Sequence, residues 1–502
     1  MKFAIITHAE HKIHEQQIVA YEPYVKEMNL WLKHIDEVQI VAPVAKGKRS
    51  EIDSSYQLKR QIPNQVGNDE YVVQVSNQIQ QDESERHPQL GDSKRHPQLG
   101  DSKRHPQLGD SKRHPQLDWG SQELENEYKI PDQVRNDGIK LIGIPSFDIT
   151  SLNNSMNALL KIPKICYKIY QAMQWADHIH LRCPGNIGLL GCFVQILFPK
   201  KPKTVKYAGN WDRTSKQPRS YRLQKWILSN TFLTRNCKVL VYGEWPNQSK
   251  NIVPFFTASY SEKEIEAIEI RSVLGFKKQI PHQVRNDGYD GQESNEVQHV
   301  DSERHPQLDW GSQDLDFDKQ IPHQVRNDGI LKFIYVGGLT PGKQPLLSVQ
   351  VIHKLKKNGY NVQLDMYGDG VEKAKITDYI LDNSLEGIII LHGNTSKEIV
   401  KKAYQQAHFL VFISKSEGWP KVVAEAMFWG CVPMTSNVSC VPEMLGNGSR
   451  GTIVTANLDE IVNAVENYVN NDSLYAHHAQ NGMDWSTLYT LEKFEDEIKK
   501  LL

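Results

Sequence analysis

Two glutamates, Glu417 and Glu425, stand with seven residues between them in the segment SKSEGWPKVVAEAMFWG, Ser414–Gly430. An aliphatic strand, Phe409–Ile413, runs into this segment. Pro420 suits the first position of a helix, where its missing N–H costs nothing. The free N–H groups of such a helix start form a ready anion site. Two carboxylates beside an anion repel it unless both accept hydrogen bonds from hydroxyls. A phosphate between two hydroxyl-bearing rings, the chemistry of a nucleotide sugar, meets all of these conditions. The same residues also suit an ordinary capped helix with one exposed and one buried glutamate.

Other segments carry related chemistry at predicted strand ends. YVGGLTPGK (Tyr335–Lys343) is a strand, a glycine-rich turn and a lysine before a helix. Gly337 and Gly338 permit close backbone approach, and Lys343 suits a diphosphate as a point charge. No Ser or Thr follows Gly342-Lys343, so the segment is not a Walker A loop, and it also reads as a plain βα turn. MYGDG (Met366–Gly370, with Gly368) and LHGN (Leu391–Asn394, with His392 and Gly393) are two more such turns. In the first half, HIHLRCPGNIGLLG (His178–Gly191) ends a strand at Arg182 and starts a helix near Ile187, after Asn186. A cation there suits an anionic acceptor or a donor phosphate, or it pairs with a neighbouring acid. His8 and Glu10, after the first strand, and Asn210, in YAGNWD (Tyr207–Asp212), are further candidates on an acceptor side.

Strands are expected at Phe3–Thr7, Val38–Ala42, Lys140–Ile144, His178–Leu181, Thr204–Tyr207 and Val239–Tyr242. A second set is expected at Lys332–Val336, Val362–Tyr367, Ile388–Leu391, Phe409–Ile413 and Val432–Thr435. Helical stretches such as Ser155–Gln174, Leu346–Lys356, Ser396–Gln405 and Pro420–Trp429 lie between them. Aliphatic strands alternating with helices imply parallel sheets covered on both faces. The expectation is an α/β protein of two doubly wound parallel-sheet domains facing a cleft, with ligands beyond the carboxyl ends of the strands.

Two polar blocks interrupt this alternation. HPQLGDSKR recurs with a nine-residue period, placing His87, His96, His105 and His114 in register, and HPQLDWGSQ occurs from His114 and again from His305. The phrases IPNQVGND (from Ile62), IPDQVRNDG (from Ile130) and IPHQVRNDG (from Ile280 and Ile321) also recur. Blocks 59–138 and 277–329 lack regularly spaced apolar residues and are read as disordered translations of mobile repeat elements. Nine residues is not a spacing that a metal site supports. The expected division is an acceptor-side domain at 1–276 carrying the first block, the second block as interdomain linker, a nucleotide-sugar-binding domain at 330–480, and a C-terminal helix at 481–502 packing back on the first domain.

Across 502 residues the formal net charge is −1, which argues against a wholesale nucleic-acid binder. The six cysteines show no Cys-x-x-Cys spacing and read as reduced thiols of a cytoplasmic protein. No apolar run is long enough to span a bilayer. Between Ser151 and Lys238, however, 15 Lys and Arg face only Asp177 and Asp212. The stretches Lys161–Gln174 and Tyr221–Arg235 mix these cations with Ile, Leu, Tyr and Trp, a pattern suited to anionic lipid on the inner face of a membrane or to a solvated basic surface.

Leu331–Val454 resembles the family 4 retaining glycosyltransferases of the GT-B fold. The order matches: the GGLTPGK turn, the YGDG turn, the LHG strand end, Glu417–seven residues–Glu425, then AMFWGCVPMTS. The resemblance implies that Lys343 holds the donor diphosphate, Glu425 the ribose and Glu417 the transferred sugar. It places His392 and Gly393 at the base, and Gly418, Trp419, Pro420 and Val422 along the donor. The family's diphosphate arginine falls on Gly338. It further implies metal-independent transfer with retention from a nucleoside diphosphate sugar to a glycan or lipid-linked acceptor, the leaving phosphate taking the acceptor's proton. No cofactor beyond that substrate is implied. A nucleotide-sugar epimerase of the same fold and a non-catalytic sugar-nucleotide-binding protein remain alternatives.

Overall fold

The computed structural model describes residues 1–14, 17–45, 53–58, 133–136, 138–145, 152–276 and 329–502. Most of both repeat blocks, including the four periodic histidines, lies outside these residues. The first lobe comprises, in chain order, β1 (Lys2–Ile6), β2 (His11–His14), β3 (Gln17–Tyr21), α1 (Glu22–Leu32), β4 (Glu37–Pro43), β5 (Asp53–Ser55), β6 (Gln133–Asn136), β7 (Ile139–Ile144), α2 (Leu152–Trp175), β8 (His178–Cys183), α3 (Asn186–Val194), β9 (Lys203–Tyr207), α4 (Arg219–Ser229), β10 (Cys237–Tyr242) and β11 (Ile252–Phe255). Its described sheet runs β11-β10-β9-β8-β1-β4-β7-β6 and is parallel except for β6. A small antiparallel sheet, β2-β3-β5, leads the chain from β1 into α1.

The second lobe contains β12 (Leu331–Val336), α5 (Pro345–Lys357), β13 (Val362–Tyr367), α6 (Lys373–Asp382), β14 (Ile389–Gly393), α7 (Lys397–Gln406), β15 (Phe409–Phe412), α8 (Lys421–Phe428), β16 (Val432–Ser436), α9 (Val441–Met444), β17 (Thr452–Val454), α10 (Leu458–Asn470) and α11 (Asp472–Ser486), and α12 (Leu491–Lys499) follows it. Its parallel sheet is ordered β14-β13-β12-β15-β16-β17. The two-sheet α/β architecture is the one expected. Each strand order changes direction beside the strand that begins its sheet, β1 or β12, which is where a doubly wound sheet opens a crevice.

Strands β12 and β15 read as nearly continuous apolar runs, as expected of central strands covered on both faces, whereas β13, VQLDMY, alternates. The hairpin strands β2, β3 and β5 escaped the sequence reading because they are short and lie outside the βα rhythm. Strand β6 falls inside the first repeat block. It pairs antiparallel with β7, Gln133 opposite Ile142. The sequence between them, Asn136-Asp137-Gly138, is a hairpin signature, and Gly138 has φ +87°.

The chain leaves the first sheet at Phe255. Tyr260, Val273 and Phe276 are then buried in the core of the second lobe. After α11 it returns: Phe494 and Ile498 of α12 are buried among Phe3, Trp31, Phe255 and Phe256 of the first. This double crossing fixes the two lobes across their shared cleft.

Candidate functional site

Three strand-end turns of the second lobe are laced by backbone hydrogen bonds. The N–H of Gly337 donates to the Tyr367 carbonyl (2.9 Å), that of Leu339 to Asp369 (3.0 Å) and that of Gly368 to Gly393 (2.8 Å). At Gly368 (φ +129°) a Cβ would lie 2.0 Å from the Gly337 carbonyl oxygen, so only glycine permits this stacking. At Gly338, by contrast, a Cβ would meet nothing closer than 3.7 Å. His392, at the third turn, stacks on Tyr367 (centroids 4.4 Å apart, planes at 6°), and its Nε2 lies 2.7 Å from Asp365 Oδ1.

The loop after β15 is tied to the first of these turns. The N–H of Lys415 donates to the Gly342 carbonyl (2.9 Å), and Ser414 exchanges two hydrogen bonds with Ser436 Oγ. This brings Lys343 Nζ within 2.5 Å of Glu417 Oε1. The Glu417 side chain is 8% exposed and that of Lys343 31%, so the pair sits at the edge of solvent. The two groups expected to hold a diphosphate and a sugar therefore hold each other. Helix α8 follows with Pro420 as its N-cap, one position earlier than expected, and no side chain caps its first turn.

Glu425 points elsewhere. Its Oε1 accepts from Ser259 Oγ (2.5 Å) and its Oε2 from the Tyr404 hydroxyl (3.5 Å). It lines a cavity of about 500 Å³ between α1, residues 257–259, α8 and α12, together with Lys26, Glu27, Lys397 and Lys421. Between Glu417 and Glu425 the lobes touch. A Cβ on Gly418 would stand 2.6 Å from the Ala208 carbonyl oxygen and 3.1 Å from the Tyr242 ring.

Trp419, read from the sequence as a donor contact, is instead a packing residue. Its indole lies against Tyr242, Trp485 and Tyr489, with centroids 5.6–5.9 Å apart, and its N–H is buried without a partner. Val422 likewise packs against the second core, its carbonyl facing the Tyr404 hydroxyl at 3.4 Å. Both are half-buried, and loop 414–420, which carries Trp419, is bound by its backbone to Gly342, Ser436, Ser439 and Cys440.

On the first lobe, His8 and Glu10 are exposed, with His8 lying over Gly185 at the start of α3. Asn186 opens α3. Asn210 is buried, and its Oδ1 accepts the N–H of Asp212 at 2.8 Å. Arg182 takes the second of its two readings: its guanidinium forms a buried ion pair with Glu27 of α1, over the Tyr24 ring. Burial alone would raise the Glu27 carboxyl, but Arg182, then Lys206 and Lys421, outweigh it and hold the group at about 2. His180 is buried in the core, its Nδ1 2.9 Å from Thr204 Oγ1, and burial keeps it neutral.

Sequence reading missed Lys206. Its side chain is buried and its Nζ donates to the Phe256 carbonyl (2.7 Å) inside the rings of Tyr242, Phe255 and Phe494, 4.5–5.2 Å away. Burial lowers it to about 7. The strand, KTVKY, gave little signal, since a second lysine, Lys203, and Thr204 interrupt its apolar character. Among the described residues no group of His, Cys, Asp and Glu suits a metal ion, and no helix is long and apolar enough to cross a membrane.

Part of the chain is similar to known glycosyltransferases. Residues 316–485 match the model of the family described as glycosyl transferases group 1. Over 169 residues the chain is 25% identical to an uncharacterised glycosyltransferase of Methanocaldococcus jannaschii, covering 34% of this chain and 46% of that protein. Over 170 residues it is 26% identical to the lipopolysaccharide 1,6-galactosyltransferase of Salmonella typhimurium, covering 33% and 45%. The matches thus span just under half the length of these curated relatives. The solved sucrose-phosphate synthase of Thermosynechococcus elongatus shares the fold over all of this chain and 98% of its own, with a TM-score of 0.52 and 13% identity.

Proposed function

We propose that this chain, whose second lobe is a group 1 glycosyltransferase domain on a GT-B fold, moves a sugar with retention from a nucleoside diphosphate sugar to a glycan or lipid-linked acceptor, in cell-surface polysaccharide or lipopolysaccharide synthesis. The observation that carries the reading is the Lys343–Glu417 pair at the junction of the glycine-rich turn and the loop before α8. A diphosphate replaces Glu417 as the partner of Lys343, and the freed carboxylate accepts hydroxyls of the transferred sugar. Glu425, beside a cavity of about 500 Å³, suits the ribose. The glycosidic bond to the diphosphate breaks, a bond from the acceptor oxygen to the same carbon forms on the same face, and the acceptor proton passes to the departing phosphate oxygen beside Lys343. No separate base is required. Peripheral membrane association fits a first lobe that exposes Trp226 and Phe232 near Arg219, Arg222 and Arg235.

Thermal-shift screening of UDP, GDP, ADP, CDP and dTDP tests the reading. At least one raises the melting temperature, and its sugar conjugate then glycosylates a membrane glycolipid extract. Stabilisation by none of the five overturns the donor assignment, and release of the sugar as a free monosaccharide without transfer points to the epimerase instead.

A further inference from the structure

We propose that a second cleft between the lobes is a subsite for a neutral pyranose ring of the acceptor, with Trp245 as its platform. The cleft measures about 760 Å³ and is walled by the turns after β9 and β10 on one side and by Lys415, Ser416 and the segment around α9 on the other. The transfer role of this subsite rests on the reading above; the binding itself does not.

The chemistry of the walls selects the ligand. Trp245 is half-buried, and its indole N–H donates to the Tyr242 carbonyl at 2.7 Å. Its polar edge is thereby satisfied by the backbone, which leaves an apolar face for the C–H face of a sugar ring. Glu443 Oε2 accepts the N–H of Glu244 at 2.8 Å, a hydrogen bond across the lobes that leaves the other oxygen open. The Glu244 carboxylate, and the Lys216 and Lys415 ammonium groups on opposite walls, have no ion pair among the described residues. Carboxylates that accept and ammonium groups that donate, around one aromatic face, complement vicinal hydroxyls. Asp212, Glu244 and Glu443 outnumber the two lysines, which disfavours a phosphate or other anion.

The position suits an acceptor. Ser416 of this wall precedes Glu417, and the Cys440 thiol, also of the wall, donates to the Gly418 carbonyl at 3.2 Å. Gly243 (φ +78°) lets the walls approach: a Cβ there would lie 2.7 Å from that of Cys440 and 3.0 Å from Glu443 Oε2.

Saturation-transfer NMR on the full chain, with the methyl pyranosides of glucose, galactose, mannose and N-acetylglucosamine as probes, tests the subsite. At least one probe receives saturation, and Trp245→Ala and, separately, the exposed Glu244→Ala weaken it by about tenfold. Should Trp245→Ala lower the melting temperature, Glu244→Ala alone decides. Saturation of no probe, or binding unchanged in Glu244→Ala, overturns the proposal. Calorimetric binding of a nucleoside diphosphate is measured in parallel and stays at parental affinity in Glu244→Ala. Its absence in the parent would defeat the donor reading and leave the pyranoside result standing.

Discussion

At the scale of residues, two groups of the candidate site hold each other. Lys343 and Glu417 are ion-paired, so removing either has a different effect from removing Glu425. Lys343→Ala mainly weakens nucleoside diphosphate binding. Glu425→Ala weakens it too, by taking an acceptor from the ribose. Glu417→Ala nearly preserves diphosphate affinity but lowers kcat/KM for transfer by about one to two powers of ten, the scale of a charge-assisted hydrogen bond. Titration calorimetry paired with a transfer assay separates the three. Gly338 offers the converse test. Its φ is not positive and its Cβ position is open, so Gly338→Arg restores the cation that the family carries there without backbone strain. Diphosphate affinity is expected to rise by about tenfold, the worth of one charge-assisted contact. Unchanged affinity would show that this turn does not face the phosphates.

At the scale of elements, β9 carries a lysine into a place built for an apolar side chain. Lys206 is enclosed by β10, β11 and α12, and burial brings it to about 7, against about 10.4 for an unfolded lysine. Between these values the unfolded chain binds one more proton than the folded one, so this group makes stability rise with pH there. Below about 7 both states are protonated and its unfavourable contribution is complete. Lys206→Met removes that dependence: relative to the variant, the parent gains up to about 1.4 kcal/mol per pH unit across the window. Chemical denaturation at several pH values between 7 and 10 reads the difference, and parallel slopes would refute it. Glu27 works in the opposite sense. Its folded carboxyl lies near 2, so the stability it supplies is present above its unfolded value and is lost as acid approaches 2. Replacing it by Gln leaves Arg182 buried without its partner and costs about 3–5 kcal/mol at neutral pH.

At the scale of the whole molecule, the first lobe presents cations with exposed aromatic side chains. Trp226 is 60% and Phe232 71% exposed, and Arg235 lies over the Phe232 ring. Vesicles containing anionic lipid are expected to bind the chain, neutral vesicles not, and salt to weaken the attraction, since screening acts over about 8 Å at physiological ionic strength. Cosedimentation checks this, with Trp226→Ala combined with Phe232→Ala as the weakened variant; equal binding to both vesicle types would refute it. The sequence by itself determined the two parallel sheets and the strand-end places of Gly337, Lys343, Gly368 and Glu417. These follow from local periodicity and from the rule that doubly wound sheets bind ligands at their carboxyl ends. Only the tertiary structure decided that Arg182 faces Glu27, that Trp419 turns inward to Trp485, that Lys206 is enclosed by Phe494, and that Trp245 and Glu443 share a cleft. Each of these depends on a partner brought from far along the chain, and no local pattern of charge or hydropathy encodes which distant side chain will arrive.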